Sequence, residues 1–407
     1  MQKNYFFLFF SLIAFFQNND LKAQDFKTIG YLPYYRFGLV DDIEFEKLTH
    51  LNIAFANPDS QGNLSVGGQD IDPIVDLGHD YGLEVYISIA GGLTTDWVTY
   101  WMNLLQPNNR TAYIHKIINF TMEHNLEGVD VDLEWSNVTE NYSGFVLELK
   151  DSLTAHGLGM TAALPGTYRY PNISDNALDA FDWINMMVYD YRGPWDPDNA
   201  GQHSSYQNAV SSIDYWSNTQ GVSTDRLTLG VPFYGYDFSN SNNVHSFTYA
   251  SMVAIDTDYA DVDQVGQAYY NGRPTIGNKT DLALTSVSGI MIWELGQDAL
   301  GLDSEYSLLE TIYQRVSNYF VGTDDTRDIF SPLVYPNPFR NSINIEQLEF
   351  EDINIQLSTI EGRVLFNKKI DDAQFSTSIP TDQLNSGFYI LSITDGNNVK
   401  SYKLVKH

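Results

Sequence analysis

The feature that most constrains this chain is a series of apolar runs, separated by amphipathic stretches, between residues 25 and 320. Thr111–His124 and Ser205–Thr219 each place their apolar residues on one face, as helices packed on a core do. Strands that alternate with helices favour a parallel sheet, and eight such runs predict a closed (β/α)8 TIM barrel. The strand candidates are Thr28–Pro33, Leu51–Ala56, Leu83–Ala90, Gly128–Glu134, Gly159–Leu164, Trp183–Asp190, Leu227–Phe233 and Gly289–Glu294.

An open, doubly wound sheet is the alternative architecture. A dinucleotide-binding sheet of that kind carries a Gly-x-Gly-x-x-Gly turn after its first strand. No such turn follows Thr28–Pro33, and no cofactor is expected. In a barrel, the chemistry would lie at the carboxyl ends of the strands.

The N-terminus has the pattern of a secretory signal peptide. Lys3 precedes an apolar segment from Tyr5 to Phe16, and Ala23 offers a small residue before a cut ahead of Gln24. The alternative, a membrane anchor, needs about 20 apolar residues. Residues 1–23 are therefore expected to be a signal peptide.

Charge is distributed unevenly along the chain, whose formal net charge is −30. The last 75 residues carry 7 basic and 9 acidic residues, whereas the preceding 332 carry 15 and 43. This difference predicts a barrel over 24–320, a linker over 321–332 and a second domain over 333–407.

The negative net charge of the protein repels nucleic acid and anionic lipid, so neither is expected as a partner. Cysteine is absent from the sequence, which excludes disulfides, thiolate metal sites and Cys nucleophiles.

The second domain has the alternating pattern of half-buried strands. Ile353, Ile355 and Leu357 alternate with polar residues, and Phe388–Ile393 is another strand candidate. Turn residues such as Glu361-Gly362 separate these runs. Several short strands in about 75 residues predict a small all-β sandwich.

Three acids occupy alternate positions of the fourth strand candidate: Asp130, Asp132 and Glu134. Because side chains of a strand alternate faces, all three point one way, into the barrel, and the valines and leucine between them point the other way. A solvated edge strand is disfavoured by those apolar residues, and a calcium loop would need Gly and an irregular backbone. Stacked carboxylates raise one another's pKa and share protons, which suits a general acid.

The segment Glu127–Trp135 resembles the DxxDxDxE signature of glycoside hydrolase family 18, the chitinases and their relatives. Glu127, Leu133 and Ala90 depart from the family pattern. The first two lie outside the three acids, and Ala90, in place of a glycine, is expected to narrow the space beneath the site slightly. The resemblance covers residues 27 to about 318. Further stretches match the family in order, namely Ser88–Gly91, Asn185–Asp190, Gly230–Gly235 and Gly289–Glu294.

This resemblance implies substrate-assisted catalysis, an exception to the usual pair of enzymic carboxylates. Glu134 would protonate the leaving oxygen while the substrate's own acetamido carbonyl attacks the anomeric carbon. Asp132 would accept a hydrogen bond from the acetamido N–H, and Asp130 would exchange a proton with Asp132. Tyr189 would donate its hydroxyl hydrogen to the acetamido oxygen.

The resemblance also implies a set of substrate-binding residues. Asp190 would orient the sugar and Trp293 would form an apolar floor beneath it. Each has a structural alternative when taken alone: Tyr189 as a core residue, Asp190 as a helix N-cap and Trp293 as packing. The remaining candidates are Met187, Tyr234, Tyr31 and Trp195. Met187 and Ser88 are also expected to fill the barrel interior. None of the eight histidines has paired ligand spacing, so no metal is expected.

At the other end of the chain, Tyr335–Phe339, Gly387–Tyr389 and Lys403–His407 resemble the C-terminal sorting domains of type IX secretion in Bacteroidetes. The alternative is a carbohydrate-binding or fibronectin-like module, which the lack of Trp in this piece disfavours. The resemblance implies recognition by the type IX machinery and a secreted or surface-attached protein.

Three functions are compatible with these residues. The first is a secreted, monomeric chitinase, and the second is an endo-β-N-acetylglucosaminidase acting on N-glycans. The third is a non-catalytic chitin-binding lectin, which the retained Glu134 disfavours. Tyr234 and Trp293 are 59 positions apart, which predicts little insertion between strands seven and eight. A shallow cleft and endo-type cutting would follow.

Overall fold

The computed structural model describes residues 26–92, 95–321, 333–335, 339–346, 353–359, 363–370, 376–394 and 399–406. The chain divides into two compact units, Met1–Tyr319 and Phe320–His407. The predicted signal segment 1–23 and residues 322–332 of the predicted linker lie outside the described residues. The predicted domain boundaries remain predictions.

The first unit is a closed barrel of eight parallel strands, as predicted. The first strand pairs in parallel with both the second and the last, which closes the sheet. Every predicted strand is present, with ends shifted by a few residues. The strands are β1 Lys27–Pro33, β2 His50–Pro58, β3 Glu84–Ala90, β4 Gly128–Asp132, β5 Gly159–Pro165, β6 Ile184–Met187, β7 Leu227–Pro232 and β8 Gly289–Trp293.

Amphipathic helices follow the strands. In the helix Arg110–Glu123 the residues Ile114, Ile117 and Ile118 are buried, as their spacing predicted, but Met122, which was expected on the same face, is exposed near the end of the helix. Within the residues listed above, none of the helices combines the length and apolar character needed to cross a membrane. The helices are α1 Asp72–Asp80, α2 Thr95–Leu104, α3 Arg110–Glu123, α4 Tyr142–Ala155, α5 Asp175–Ala180, α6 Tyr206–Asp214, α7 Tyr249–Ile255, α8 Arg273–Ser286 and α9 Leu308–Val321.

The register of β3, β4 and β5 determines what surrounds the acids. Ser88 and Thr161 are the lateral neighbours of Asp130. Two residues earlier, Gly128 lies against the ring of Tyr86, where a Cβ would come within 2.3 Å of a ring carbon. Glycine is therefore required at this position, because an aromatic side chain of β3 fills the space a side chain would need.

A small α+β insertion lies between β7 and β8. It consists of a four-stranded antiparallel sheet and helix α7, all before α8 begins at Arg273. The expectation of little insertion was therefore wrong, because strands of two to four residues and a short helix fit within the 59 positions between Tyr234 and Trp293. The shallow cleft and endo-type cutting that were inferred from it stay predictions. Its strands are Tyr234–Asp237, His245–Thr248, Gln264–Val265 and Ala268–Tyr269.

The second unit has two antiparallel sheets that share one apolar core, as predicted for a sandwich. Ile343 and Ile379 of one sheet and Ile355 and Leu391 of the other belong to this core. The predicted turn at Glu361-Gly362 lies outside the described residues. The strands are β9 Leu333–Tyr335, β10 Ser342–Glu346, β11 Ile353–Thr359, β12 Val364–Ile370, β13 Ser376–Pro380, β14 Gly387–Thr394 and β15 Val399–Lys406.

Candidate active site

Asp130 is the deepest of the three acids and is fully buried on β4. Its Oδ2 accepts hydrogen bonds of 2.7 Å from the hydroxyls of both Tyr31 and Ser88. Its Oδ1 accepts from Thr161 Oγ1 at 2.6 Å and from Asn185 Nδ2 at 3.2 Å. Burial raises the pKa of Asp130, and these donated hydrogen bonds oppose the rise. The carboxyl group is therefore held in one orientation by donors from four other strands.

Asp132 lies two residues nearer the mouth and is also buried. Burial, and then the charges of Glu134 and Asp130, raise the pKa of Asp132 well above its usual range. Its Oδ1 has no hydrogen-bond partner among the described residues. Because a buried acceptor without a donor is costly, this oxygen is a place where a ligand N–H or a water would be stabilised.

Glu134 is half-buried just beyond the end of β4. Its backbone remains extended, with φ −121° and ψ 162°, so it continues the alternation of the strand. Burial, and then the charge of Asp190, raise the pKa of Glu134 to about 7. A carboxyl group with such a pKa is still largely protonated in mildly acidic water, and it can donate a proton to a ligand and later take one back.

Tyr189 and Asp190 follow β6 and lie on the opposite side of the mouth from β2. The hydroxyl of half-buried Tyr189 has Met291 Sδ at 3.9 Å as its hydrogen-bond partner, a weak acceptor that a sugar oxygen could replace. Asp190 is exposed and has a left-handed backbone, with φ 62°. Its Oδ1 accepts from the hydroxyls of Tyr234 at 2.5 Å and Tyr236 at 3.0 Å.

Trp293 ends β8 and forms an aromatic floor with neighbours from other strands. Its ring stacks on Phe55 with centroids 5.4 Å apart and meets Tyr31 edge-on at 5.6 Å. Met187 packs in the same apolar cluster, so it fills the interior next to the site as expected. Both Trp293 and Met187 are half-buried, which leaves part of each side chain open at the mouth.

Two predicted substrate-binding residues are buried. Tyr31 meets the Trp293 ring edge-on, and its hydroxyl donates to Asp130. Tyr234 is likewise buried and engages Asp190. These positions are stable because a buried hydroxyl needs an acceptor, and the carboxylates of Asp130 and Asp190 accept from Tyr31 and Tyr234 respectively. Trp195, in contrast, is 59% exposed, as a sugar-stacking residue would be.

Several residues of the site were not singled out from the sequence. Thr161 and Asn185 donate to Asp130, and Tyr236 donates to Asp190. Ser88, which was expected only to fill the interior, also donates to Asp130. Trp135 is 74% exposed directly after Glu134 and has a φ of 51°. Thr161 and Asn185 are polar residues within apolar barrel strands, a signal that becomes specific only when the strand register is known.

The turn after β3 is held from beneath by a buried pair. Asn57 Nδ2 donates to the carbonyl of Ala90 at 2.8 Å, and Trp101 Nε1 donates to Asn57 Oδ1 at 2.9 Å. Ala90 replaces the family's glycine in the left-handed region, with φ 80°, and it pairs in register with Asp132. Asn57 and Trp101 therefore support the backbone beside the second acid.

The arrangement provides a proton donor, a row of coupled acids and an aromatic floor at one barrel mouth. In the part of the chain that the structure covers, no three His, Cys, Asp or Glu side chains form a group that could hold a metal ion. The chemistry available from these side chains is acid–base chemistry on a ligand that stacks on aromatic rings.

Comparisons with known proteins agree with both halves of this description. A family model described as glycosyl hydrolases family 18 matches residues 14–298, and one described as a secretion system C-terminal sorting domain matches residues 333–407. The second match indicates type IX export and thus a secreted or cell-surface protein.

Two solved structures are similar over the barrel. The family 18 chitinase ChiB of Flavobacterium johnsoniae is 46% identical, with a TM-score of 0.70, and the match covers 72% of this chain and 95% of that one. A chitinase from Bacteroides thetaiotaomicron is 29% identical, with a TM-score of 0.65, and the match covers 74% of this chain and 99% of that one.

Curated relatives match over a smaller share of their own length. Probable chitinase 10 of Drosophila melanogaster is 28% identical over 257 residues, which cover 53% of this chain and 11% of that protein. The chain spans about half the length of three other curated relatives that it matches. From the family match and the shared barrel, this chain belongs to glycosyl hydrolase family 18.

Proposed function

We propose that this protein is a secreted chitinase. It would hydrolyse β-1,4 bonds between N-acetylglucosamine units by substrate-assisted catalysis that retains the configuration at the anomeric carbon. The family membership and the sorting domain support this proposal. So does the similarity to the Flavobacterium johnsoniae protein, which is a chitinase from a chitin utilization locus.

One observation carries the proposal: Asp132 Oδ1, which has no partner among the described residues, lies between an acid held by four donors and an acid whose pKa is raised to about 7. An acetamido N–H is a donor that this oxygen lacks. Burial of the same carboxylate would then stabilise the positive charge that develops on the acetamido group, because Coulombic attraction is stronger where water is excluded.

In the first step, Glu134 gives its proton to the glycosidic oxygen as the bond from that oxygen to the anomeric carbon breaks. The acetamido carbonyl oxygen forms the new bond to the anomeric carbon, and the product is an oxazolinium ion. Asp132 accepts the hydrogen bond of the acetamido N–H, and Tyr189 donates its hydroxyl hydrogen to the acetamido oxygen. Trp293 lies beneath the sugar and limits its tilt.

In the second step, the Glu134 carboxylate takes a proton from water. The resulting oxygen nucleophile attacks the anomeric carbon and breaks the bond to the acetamido oxygen. Two inversions at the same carbon give overall retention. Asp130 and Asp132 share one proton through both steps, since two neighbouring buried carboxylates cannot both remain ionised without a large cost.

The proposal is tested by incubating the full chain in parallel with chito-oligosaccharides and with a high-mannose glycoprotein, followed by mass spectrometry of the products. A chitinase gives shorter N-acetylglucosamine oligomers. Glycan release that leaves one N-acetylglucosamine on Asn would instead assign the activity to an endo-β-N-acetylglucosaminidase. Binding to chitin with no product from either substrate would indicate a lectin.

A further inference from the structure

The loop after β6 carries Tyr189 and Asp190 near its start and returns to the barrel at Ser204. Its two ends are joined directly, because Ser204 Oγ donates to the carbonyl of Val188 at 2.5 Å. The amide of Tyr191 also donates to the carbonyl of His203 at 3.0 Å. Both His203 and Ser204 are fully buried. The residues at the base of this loop therefore determine where Asp190 lies.

His203 contacts Asp190 and the two tyrosines that engage it. Its Nε2 lies 3.0 Å from the carbonyl of Tyr234, which can only accept, so Nε2 carries the hydrogen and Nδ1 has a lone pair. That Nδ1 accepts from the amide of Asp190 at 3.4 Å. The imidazole ring is 4.9 Å from the ring of Tyr234 and 5.1 Å from that of Tyr236.

Lys279 lies on α8, next to Ser204, and is fully buried. Its Nζ donates to Ser204 O at 2.8 Å, to Ser204 Oγ at 2.7 Å and to Asn271 Oδ1 at 2.7 Å. All three acceptors are uncharged, and no ion pair within the described ranges includes Lys279. The three N–H groups of the ammonium are thus satisfied, but its charge has no opposite charge in contact.

Burying an ammonium group in this way costs several kcal/mol, and burial lowers the pKa of Lys279 to about 7. An apolar residue of similar length would fill the same space on α8 without that cost. What the ammonium adds is three directed hydrogen bonds, two of which converge on Ser204. The arrangement suits a residue that fixes the position of Ser204 rather than one that merely packs.

Asp190 is the residue that such support would hold. Its left-handed backbone, with φ 62°, is a conformation that Asp adopts more readily than most residues but less readily than glycine, so contacts at the base of the loop help to maintain it. Its carboxylate lies close enough to Glu134 for its charge to act on that acid. A small movement of Asp190 would therefore change the environment of the proton donor.

We infer that Lys279 is a positioning residue of the active site, which acts through Ser204 and His203 to hold Asp190 beside Glu134. This inference rests on the proposed function only for the role given to Glu134. The positional part, that Lys279 fixes Ser204 and, through His203, the backbone of Asp190, stands on the hydrogen bonds described above.

The test compares the wild-type full chain with its Lys279→Met variant. Carbon-13 NMR measures the midpoint pH at which the Glu134 carboxyl titrates, and the Glu134→Gln variant identifies which signal belongs to Glu134. If Asp190 moves away, a negative charge leaves the neighbourhood of Glu134, and the midpoint falls by about half a pH unit or more. In the activity assay, kcat should fall roughly tenfold with little change in KM, because substrate contacts remain while geometry is lost.

The matched control is Lys116→Met. Lys116 is also a helical lysine with two uncharged acceptors, Gln61 O at 2.9 Å and Asn63 Oδ1 at 2.7 Å, but these belong to the turn after β2. Its replacement should leave the Glu134 midpoint unchanged. If Lys279→Met does not fold, Ser204→Ala decides, since it removes the hydroxyl that links Lys279 to Val188, and it should shift the midpoint in the same direction.

A folded Lys279→Met protein, or in its place a folded Ser204→Ala protein, with the wild-type Glu134 midpoint would overturn the inference and leave Lys279 a structural residue. The NMR result does not need turnover. A wild-type protein that cleaves neither chito-oligosaccharides nor glycoprotein would therefore refute the proposed function, while the effect of Lys279 on Glu134 would still be measured.

Discussion

The hydroxyl of Tyr31 on β1 donates a 2.7 Å hydrogen bond to Asp130 on β4, across the interior of the barrel. The Tyr31 hydroxyl is one of four donors to the Asp130 carboxylate. Burial raises the pKa of Asp130, and the four hydrogen bonds partly oppose that rise. Tyr31 thus links the first strand to the acid ladder, and its effect on catalysis would be transmitted through the protonation of Asp130.

Tyr31→Phe removes one donor and retains the ring. Since a hydrogen bond to a charged group contributes about 1.5–3 kcal/mol, the pKa of Asp130 should rise further. The acid limb of the kcat profile then moves to higher pH by roughly one pH unit or more, because the Asp130–Asp132 pair loses its negative charge at a higher pH. Kinetics on chitotetraose between pH 3 and 9 measure this, and an unmoved acid limb would contradict it.

Asp190→Asn should move the alkaline limb. The charge of Asp190 contributes to the raised pKa of about 7 at Glu134, so its removal lowers that pKa. Glu134 must be protonated to act as an acid, and the alkaline limb of kcat/KM therefore shifts to lower pH. Asp198→Asn, an exposed charge removal in the same loop, is the control. An equal shift of the alkaline limb of kcat/KM in Asp190→Asn and Asp198→Asn would contradict a specific effect of Asp190 on Glu134.

Asn57→Ala tests the support beneath Ala90. The change leaves two buried groups, Trp101 Nε1 and the Ala90 carbonyl, without the partner that Asn57 supplies. Each such loss costs about 1–3 kcal/mol, so the free energy of unfolding should fall by roughly 2–6 kcal/mol. Urea unfolding measures it, with exposed Asn218→Ala as the control. A difference under about 1 kcal/mol between the two variants would contradict the role of Asn57.

Trp195→Ala should affect long substrates only. The ring is largely exposed, so its removal should change stability by less than about 0.5 kcal/mol. A lost stacking contact of about 0.5–1.5 kcal/mol raises KM roughly two- to tenfold where a sugar reaches that ring. Comparing chitotriose with chitohexaose measures the effect. An equal rise for both lengths would place Trp195 at the reacting sugar instead.

The barrel was predictable because its evidence is periodic. Eight apolar runs at regular spacing define the strands, and alternation within β4 places Asp130, Asp132 and Glu134 on one face without any knowledge of neighbours. The C-terminal sandwich followed from the same alternation in Ile353, Ile355 and Leu357, whose side chains are buried.

The less predictable part depends on register and on loop paths. Tyr31 was expected to contact sugar, but only the barrel's closure shows that its hydroxyl reaches Asp130. Nothing local in the sequence links Lys279 to Ser204, which precedes it by 75 positions. The small insertion after β7 was also missed, since its strands of two to four residues are too short for a periodic pattern.

The central claim is that Glu134 is the proton donor in a substrate-assisted hydrolysis. Its most direct test compares wild-type protein and Glu134→Gln on chitotetraose, with turnover measured by mass spectrometry and binding by calorimetry. We expect turnover to fall by about 10²–10⁴-fold with affinity within a few-fold of wild type, because the amide keeps the shape but cannot supply the proton. Turnover that survives the substitution would contradict the account, since the proton would then have to come from another residue.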